Sequence, residues 1–319
     1  YSYSINAPWK EKSRQIKSVE IRDRVTRIGG FAFARLDSLR SITIDSPVES
    51  IGGCSFLQCS QLTAITIPQT VQVIEKSAFE GCASLREITI PDKVTAIGEH
   101  AFDGCSSLAS ITLPDSVASI GAGLFRGCSS LNSVSIPEEV TSIPLGAFSE
   151  CRRLERVAIP AKATEIGNEA FFECESLSSV IIPESVRQIG ERAFAGCASL
   201  ASVSIPSSTE SIGNYAFSRC AHLTAITLPP NLSCIGANPF AECVGLEAIK
   251  CSGGSQAFVA ADGVLFDREM RTLISFPGAR TGCYEVPGSV AEIKESAFAH
   301  CNLGSVVIPG SVATIGDKS

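Results

Sequence analysis

The chain has 319 residues, 45% hydrophobic and 18% charged, with a net charge of −7. That balance excludes a disordered chain, which lacks the apolar residues to build a core, and it excludes the basic stripe that phosphate-backbone binding requires, so no nucleic-acid partner is expected. No apolar run approaches the ~18 residues of a membrane-crossing helix, so the residues present are not expected to insert into a membrane.

Taken in order, residues 1–15, with Trp9, are predicted to be a flank or partial cap, and Ile16-x-x-Val19-x-Ile21 is half of a repeat. From Val25 the chain restates one pattern with a period of 23 residues, most clearly as Val94-x-x-Ile97-Gly98-x-x-Ala101-Phe102-x-x-Cys105-x-x-Leu108-x-x-Ile111-x-Leu113-Pro114. The openers are Val25, Val48, Val71, Val94, Val117, Val140, Ala163, Val186, Thr209 and Leu232, without an insertion. A fixed period of this length is the signature of stacked coils, so residues 16–319 are expected to form one elongated repeat solenoid.

Within each copy, a segment such as Arg86-Glu87-Ile88-Thr89-Ile90 alternates apolar and polar, as a half-buried strand does. Proline follows at 68, 91, 114, 137, 160, 183, 206 and 229 and, lacking an N–H, ends each strand at the same place. The strands are therefore expected to pair in parallel, one per coil. The opener, the Ile before Gly, the Ala-Phe pair, the Cys and the Leu supply the other inward positions. Two-residue spacers between them suit short turns rather than helices.

The rhythm breaks between Leu232 and Val290. Inside that gap, Gly263-Val264-Leu265-Phe266 and Thr272-Leu273-Ile274-Ser275-Phe276 flank a polar stretch and predict a β-hairpin, within an irregular unit at about 252–289. A structural spacer is the reading given to this unit, ahead of a dedicated binding hairpin. A truncated final repeat occupies 312–319. Tyr1 at the start, and a stop where the repeat calls for Ala-Phe, predict a piece of a longer protein.

The repeat Leu-x-x-Ile-x-Ile-Pro-x-x-Val-x-x-Ile-Gly-x-x-Ala-Phe-x-x-Cys resembles the BspA-type leucine-rich repeats of bacterial and protist surface proteins. The resemblance implies an α/β-class, mainly β solenoid: a curved leucine-rich-repeat stack of 23-residue coils with parallel strands on its concave face. A parallel β-helix is the alternative fold. The resemblance also implies a non-catalytic, adhesin-like binding module, secreted or at the cell surface, with a protein partner or a glycan; it leaves the cytoplasm open. A structural subunit docking within a larger assembly is the alternative function. The usual Asn slot of leucine-rich repeats holds Lys93, Ser116 or Glu139 here, so the cysteine row is expected to supply the regular interior.

Ten of the 14 cysteines fall in one inward slot and are expected to be free, buried thiols, whereas Cys234 and Cys283 are the reactive candidates. No Cys-x-x-Cys occurs, and His100, His222 and His300 sit at unrelated positions, so no metal, cofactor or catalytic residue is predicted. Gly121-Ala122-Gly123 mimics part of a dinucleotide fingerprint but opens no helix. Asn231-Leu232-Ser233 is a lone glycosylation sequon. The strand face is mostly small and hydroxylated. Departures cluster in coils five to seven: Arg156 and Ile181 on the strand face, and Arg126, Arg152, Arg153 and Phe172 on the outer turns. Arginine and exposed apolar groups are what interface centres enrich, so these six are the partner-binding candidates.

Overall fold

In a computed structural model that describes residues 9–319, the chain forms a β-solenoid of about 13 turns with parallel strands. It divides between Lys162 and Ala163 into two compact units. Residues 1–8 of the predicted flank lie outside the described residues; the remainder contributes a 3₁₀ turn at Lys10–Lys12.

In the first unit the long strands Ser18–Arg22, Ser41–Asp45, Ala64–Thr66 and Glu87–Thr89 make one parallel sheet, and Ser110–Thr112 pairs with Ser133–Ser135. Register is one repeat long: Ala64 faces Glu87 and Ile65 faces Ile88. The alternation read from the sequence is realised as exposed, buried, exposed along these strands, with Ile65 and Ile88 inward. A feature the sequence did not disclose is a second, shorter stack. Arg27–Ile28, Ser50–Ile51, Val73–Ile74 and Ala96–Ile97 also pair in parallel. Two residues are too few to show a period of two, so this stack was hidden in what looked like turn.

The second unit repeats the plan. Ala225–Leu228 pairs with Ala248–Cys251, Thr281–Glu285 with Asn302–Val307, and the short strands Glu165–Ile166, Gln188–Ile189, Ser211–Ile212 and Cys234–Ile235 stack in parallel. The irregular unit is a three-stranded antiparallel meander rather than the two-stranded hairpin expected. Phe258–Ala261 pairs with Val264–Asp267, which pairs with Thr272–Ser275. The tight turn is Asp262-Gly263, both residues at positive φ (49° and 75°), as a primed hairpin turn demands. The last strand then pairs in parallel with the short strand Glu292–Ile293, Leu273 opposite Ile293, and that strand with Thr314–Ile315, so the meander is spliced into the C-terminal coils. Val264, Leu265, Phe266 and Leu273 are fully buried. Arg280 clasps it from outside, bonding Asp262 at 2.7 and 2.8 Å while lying over the rings of Phe276 and Tyr284.

Phenylalanine and cysteine build the interior. In the first unit Phe33, Phe56, Phe79, Phe102, Phe125 and Phe148 form a stacked file with centroids 5.2–5.7 Å apart. Phe171, Phe194, Phe217 and Phe240 form another in the second. Each stacked pair adds about 0.5–1.5 kcal/mol to the burial of the rings. Beside them, the row thiols turn back onto the preceding coil: Cys105 Sγ donates to the Phe79 carbonyl at 3.3 Å, and Cys128 to Phe102 at 3.2 Å. The cysteine row thus does what an asparagine row does elsewhere, tying side chain to backbone between coils.

Two positions per coil have a left-handed backbone whatever residue stands there. The residue before Ala-Phe does so at Ser77, His100, Glu169, Arg192, Tyr215 and Ser296, and the residue two after Phe does so at Gln58, Glu150, Glu173, Arg219, Glu242 and His300 (φ 51–61°). Both rows lie on the outer turns.

Candidate functional site

The repeat commits its most reactive side chains to the core. Burial pushes the Cys59 thiol up to about 12 and raises Cys82, Cys105 and Cys220 well above the ordinary thiol value, so these sulfurs are held protonated and unreactive. Cys234 and Cys283 are exposed free thiols, as expected of the reactive candidates.

Of the residues singled out in the sequence, Arg126 is bound to its own fold. Its guanidinium lies 2.6 Å from Asp103 Oδ2, a carboxylate only 10% exposed that also takes His100 Nδ1 at 3.1 Å. Gly123 makes room for that imidazole, since a Cβ there would stand 2.4 Å from Nδ1. Gly121 is equally steric: its Cβ would fall 2.4 Å from the Glu99 nitrogen. The Gly-Ala-Gly segment is thereby explained by packing between coils. Arg152, Arg153 and Arg156 are exposed in the first unit, the last on the strand Arg156–Ala158. Ile181 ends the strand Ser179–Ile181 of the second unit at 75% exposure, the most exposed large apolar residue among those described.

Phe172 opens onto a substantial groove. It lies at one end of a cleft of about 770 Å³ on the outer turns of the second unit, within the ~300–1,000 Å³ usual for ligand sites. The bed is one repeat position, the residue after Phe: Phe172, Ala195, Ser218, Ala241 and Ala299. The two left-handed rows form its walls, with Arg192 and Tyr215 on one side and Arg219, Glu242 and His300 on the other. Charges of both signs nearly balance. Arg192 stands 3.7 Å from Glu169 and Arg219 stands 3.5 Å from Glu173, long enough to leave guanidinium donors unspent. His300 is 4.0 Å from Glu242.

This groove exists because the period fails beside it. Tyr215 Oη donates to Glu295 Oε1 at 2.9 Å across 80 residues of sequence. Beneath, the buried Asn238 side chain donates to the Ser296 carbonyl and accepts from Ser275 Oγ, the latter at 2.7 Å. Tyr215, Arg219, Glu242 and His300 were missed in the sequence because each sits in a tolerant polar slot. The signal that finds them is a spacing: five positions separate Ile212 from Phe217, but three separate Leu273 from Phe276.

Comparison with known proteins gives one consistent picture. The chain matches the model of the BspA type leucine rich repeat region in six copies, over residues 9–92, 49–174, 141–259 and 280–319. A leucine-rich repeat protein from Bacteroides ovatus is similar in structure, with 27% identity and a TM-score of 0.77 over 94% of this chain and 82% of that one. A leucine rich cell surface protein from Faecalibacterium prausnitzii is similar at 28% identity and a TM-score of 0.52, over 94% of this chain and 65% of that one. No curated protein matches the chain.

Proposed function

Because the chain belongs to the BspA-type leucine-rich repeat family, we propose that it is a non-catalytic binding module, displayed at the cell surface, that recognises a protein partner. The observation that carries this reading is the outer-turn groove. A fold that buries its thiols and stacks its aromatics nevertheless leaves Phe172, Tyr215 and two arginines facing a cleft of about 770 Å³. Aromatic and arginine side chains dominate the energetics of protein recognition, and small residues between them provide room for the partner's own side chains. Surface display is supported by the likeness to the cell surface protein of Faecalibacterium prausnitzii.

The test is binding of the whole chain to a panel of purified extracellular and cell-surface proteins, with arrayed oligosaccharides alongside. A protein on the panel is expected to be held, and the Phe172→Ser, Arg219→Ser double variant is expected to lose about tenfold or more in affinity. Arg156→Ser or Ile181→Ser on the strand face is expected to leave that affinity unchanged. Loss confined to the strand-face variants would move the site there, and retention of oligosaccharides alone would overturn the protein reading.

A further inference from the structure

The outer turns of the second unit are joined by a ladder in which alternate amides of one coil donate to the next. Tyr215 N–H donates to the Ala237 carbonyl at 3.0 Å, Phe217 to Pro239 at 2.8 Å, and Arg219 to Ala241 at 2.8 Å. One coil further on the ladder stops. The corresponding amides of Phe240 and Glu242 meet no acceptor among the described residues. Beyond the break, the Phe276 amide donates to the Ala297 carbonyl at 2.8 Å, but the Ala299 carbonyl receives no donor.

The cause is a shortened coil. Leu273 is equivalent to Ile293 by strand pairing, and Phe276 stands in the Phe slot, since it donates to Ala297 as Phe79 donates to Ala101. With three positions where regular coils have five, and with Pro277 and Gly278 buried just after, this coil sinks below its neighbours. The coil before it and the coil after it then become the lips of a cleft, fastened underneath by Asn238. Of the unmet groups, Glu242 on one lip and Ala299 on the other line the cleft, and an unmet donor opposite an unmet acceptor is what an extended chain satisfies with its own alternating groups.

We infer that this groove captures an extended polypeptide segment of the partner, which takes the place of the missing outer turn. One of its carbonyls accepts from the Glu242 amide, and a neighbouring amide donates to the Ala299 carbonyl. Affinity comes from main-chain pairing, as in strand addition at a sheet edge, and selectivity from side chains laid over Ala241 and Ser218 toward Tyr215 and Arg219. The near balance of charge around the bed suits a segment of low net charge. This inference rests on the reading of the chain as a protein-binding module.

The experiment is to pan the whole 319-residue chain against a random dodecapeptide phage library and to synthesise an enriched peptide. Its binding is expected to slow hydrogen exchange at the Glu242 amide by about tenfold or more. N-methylation of alternate peptide nitrogens is expected to weaken it about tenfold or more, because the main chain is what is recognised. Ala299→Arg is expected to abolish binding by filling the cleft, and Arg219→Ser, on the near wall, to weaken it with the thermal midpoint unchanged. Failure to enrich any peptide, binding indifferent to N-methylation, an unprotected Glu242 amide, or occupation of the groove by an oligosaccharide would each overturn the inference. A chain that holds a panel protein yet fails these measurements remains a binding module with its site elsewhere.

Discussion

Replacing Phe102 separates the contribution of stacking from that of burial. Its ring is fully buried, with neighbours at 5.5 Å (Phe79) and 5.7 Å (Phe125). Phe102→Ala is expected to cost about 3–5 kcal/mol, the range for emptying a well-packed aromatic site. Phe102→Leu keeps most of the apolar volume but removes both stacked contacts, so about 1–3 kcal/mol is expected from two pairs at about 0.5–1.5 kcal/mol each. Phe33 is half-buried and has Phe56 at 5.4 Å on one side, so Phe33→Ala is expected to cost roughly half as much as Phe102→Ala. Urea midpoints measure the totals, and native-state hydrogen exchange locates them. Coils are coupled through nearest neighbours, so the Phe79 and Phe102 amides, which donate to Ala101 and Leu124, should lose protection first. Equal costs at positions 33 and 102, or exchange raised uniformly along the first unit, would refute the file as the source of stability.

Ser55 is the one described buried side chain whose hydroxyl meets no partner, in a slot that holds Ala at 78, 101 and 147; Ser55→Ala should stabilise by about 1 kcal/mol, read as a raised urea midpoint. Asn238→Ala strands the Ser275 hydroxyl and cuts the link to Ser296, so a loss of about 2–3 kcal/mol and faster exchange at Phe276 are expected; unchanged exchange there would show that the strut bears nothing. Maleimide should label Cys234 and Cys283 in the folded chain but Cys59 only after unfolding. The buried thiols have raised values, so their stabilising effect is complete below the unfolded thiol value of about 8.5 and drains away as pH climbs toward the folded value of about 12. Urea midpoints that do not fall between about pH 8 and pH 10 would contradict this linkage.

The core was legible position by position, because a repeat states each slot many times: the Phe, Cys, Leu and opener rows are buried as their spacing requires, except toward the ends, where Val25, Phe33, Phe298 and Cys301, the last expected to be buried, are only half-buried. The short strands were not, since two residues carry no period. Phe258–Ala261 was missed for a related reason, having no polar partner to alternate with, although Asp262-Gly263 beside it is a strong hairpin turn signal. Of the candidate site, Phe172 was found because a large apolar residue in a polar slot is conspicuous. Arg126 drew attention as an arginine among small residues, yet its slot faces a buried carboxylate, and no spacing in the sequence announces that Asp103 turns inward. The groove depends on a two-residue deficit, which becomes visible once Leu273 is aligned with the short strands.

The left-handed backbone of the two outer rows has a consequence for how such a surface evolves. Holding an ordinary residue at positive φ costs about 1–2 kcal/mol, and here coil-to-coil hydrogen bonds meet that cost whether the residue is Arg192, Tyr215, Glu173 or Gly196. The scaffold, and not the displayed side chain, sets the direction in which each group leaves the surface. Neighbouring coils therefore act as interchangeable sockets, and a lineage can rewrite what it recognises one residue at a time while the fold stays blind to the change.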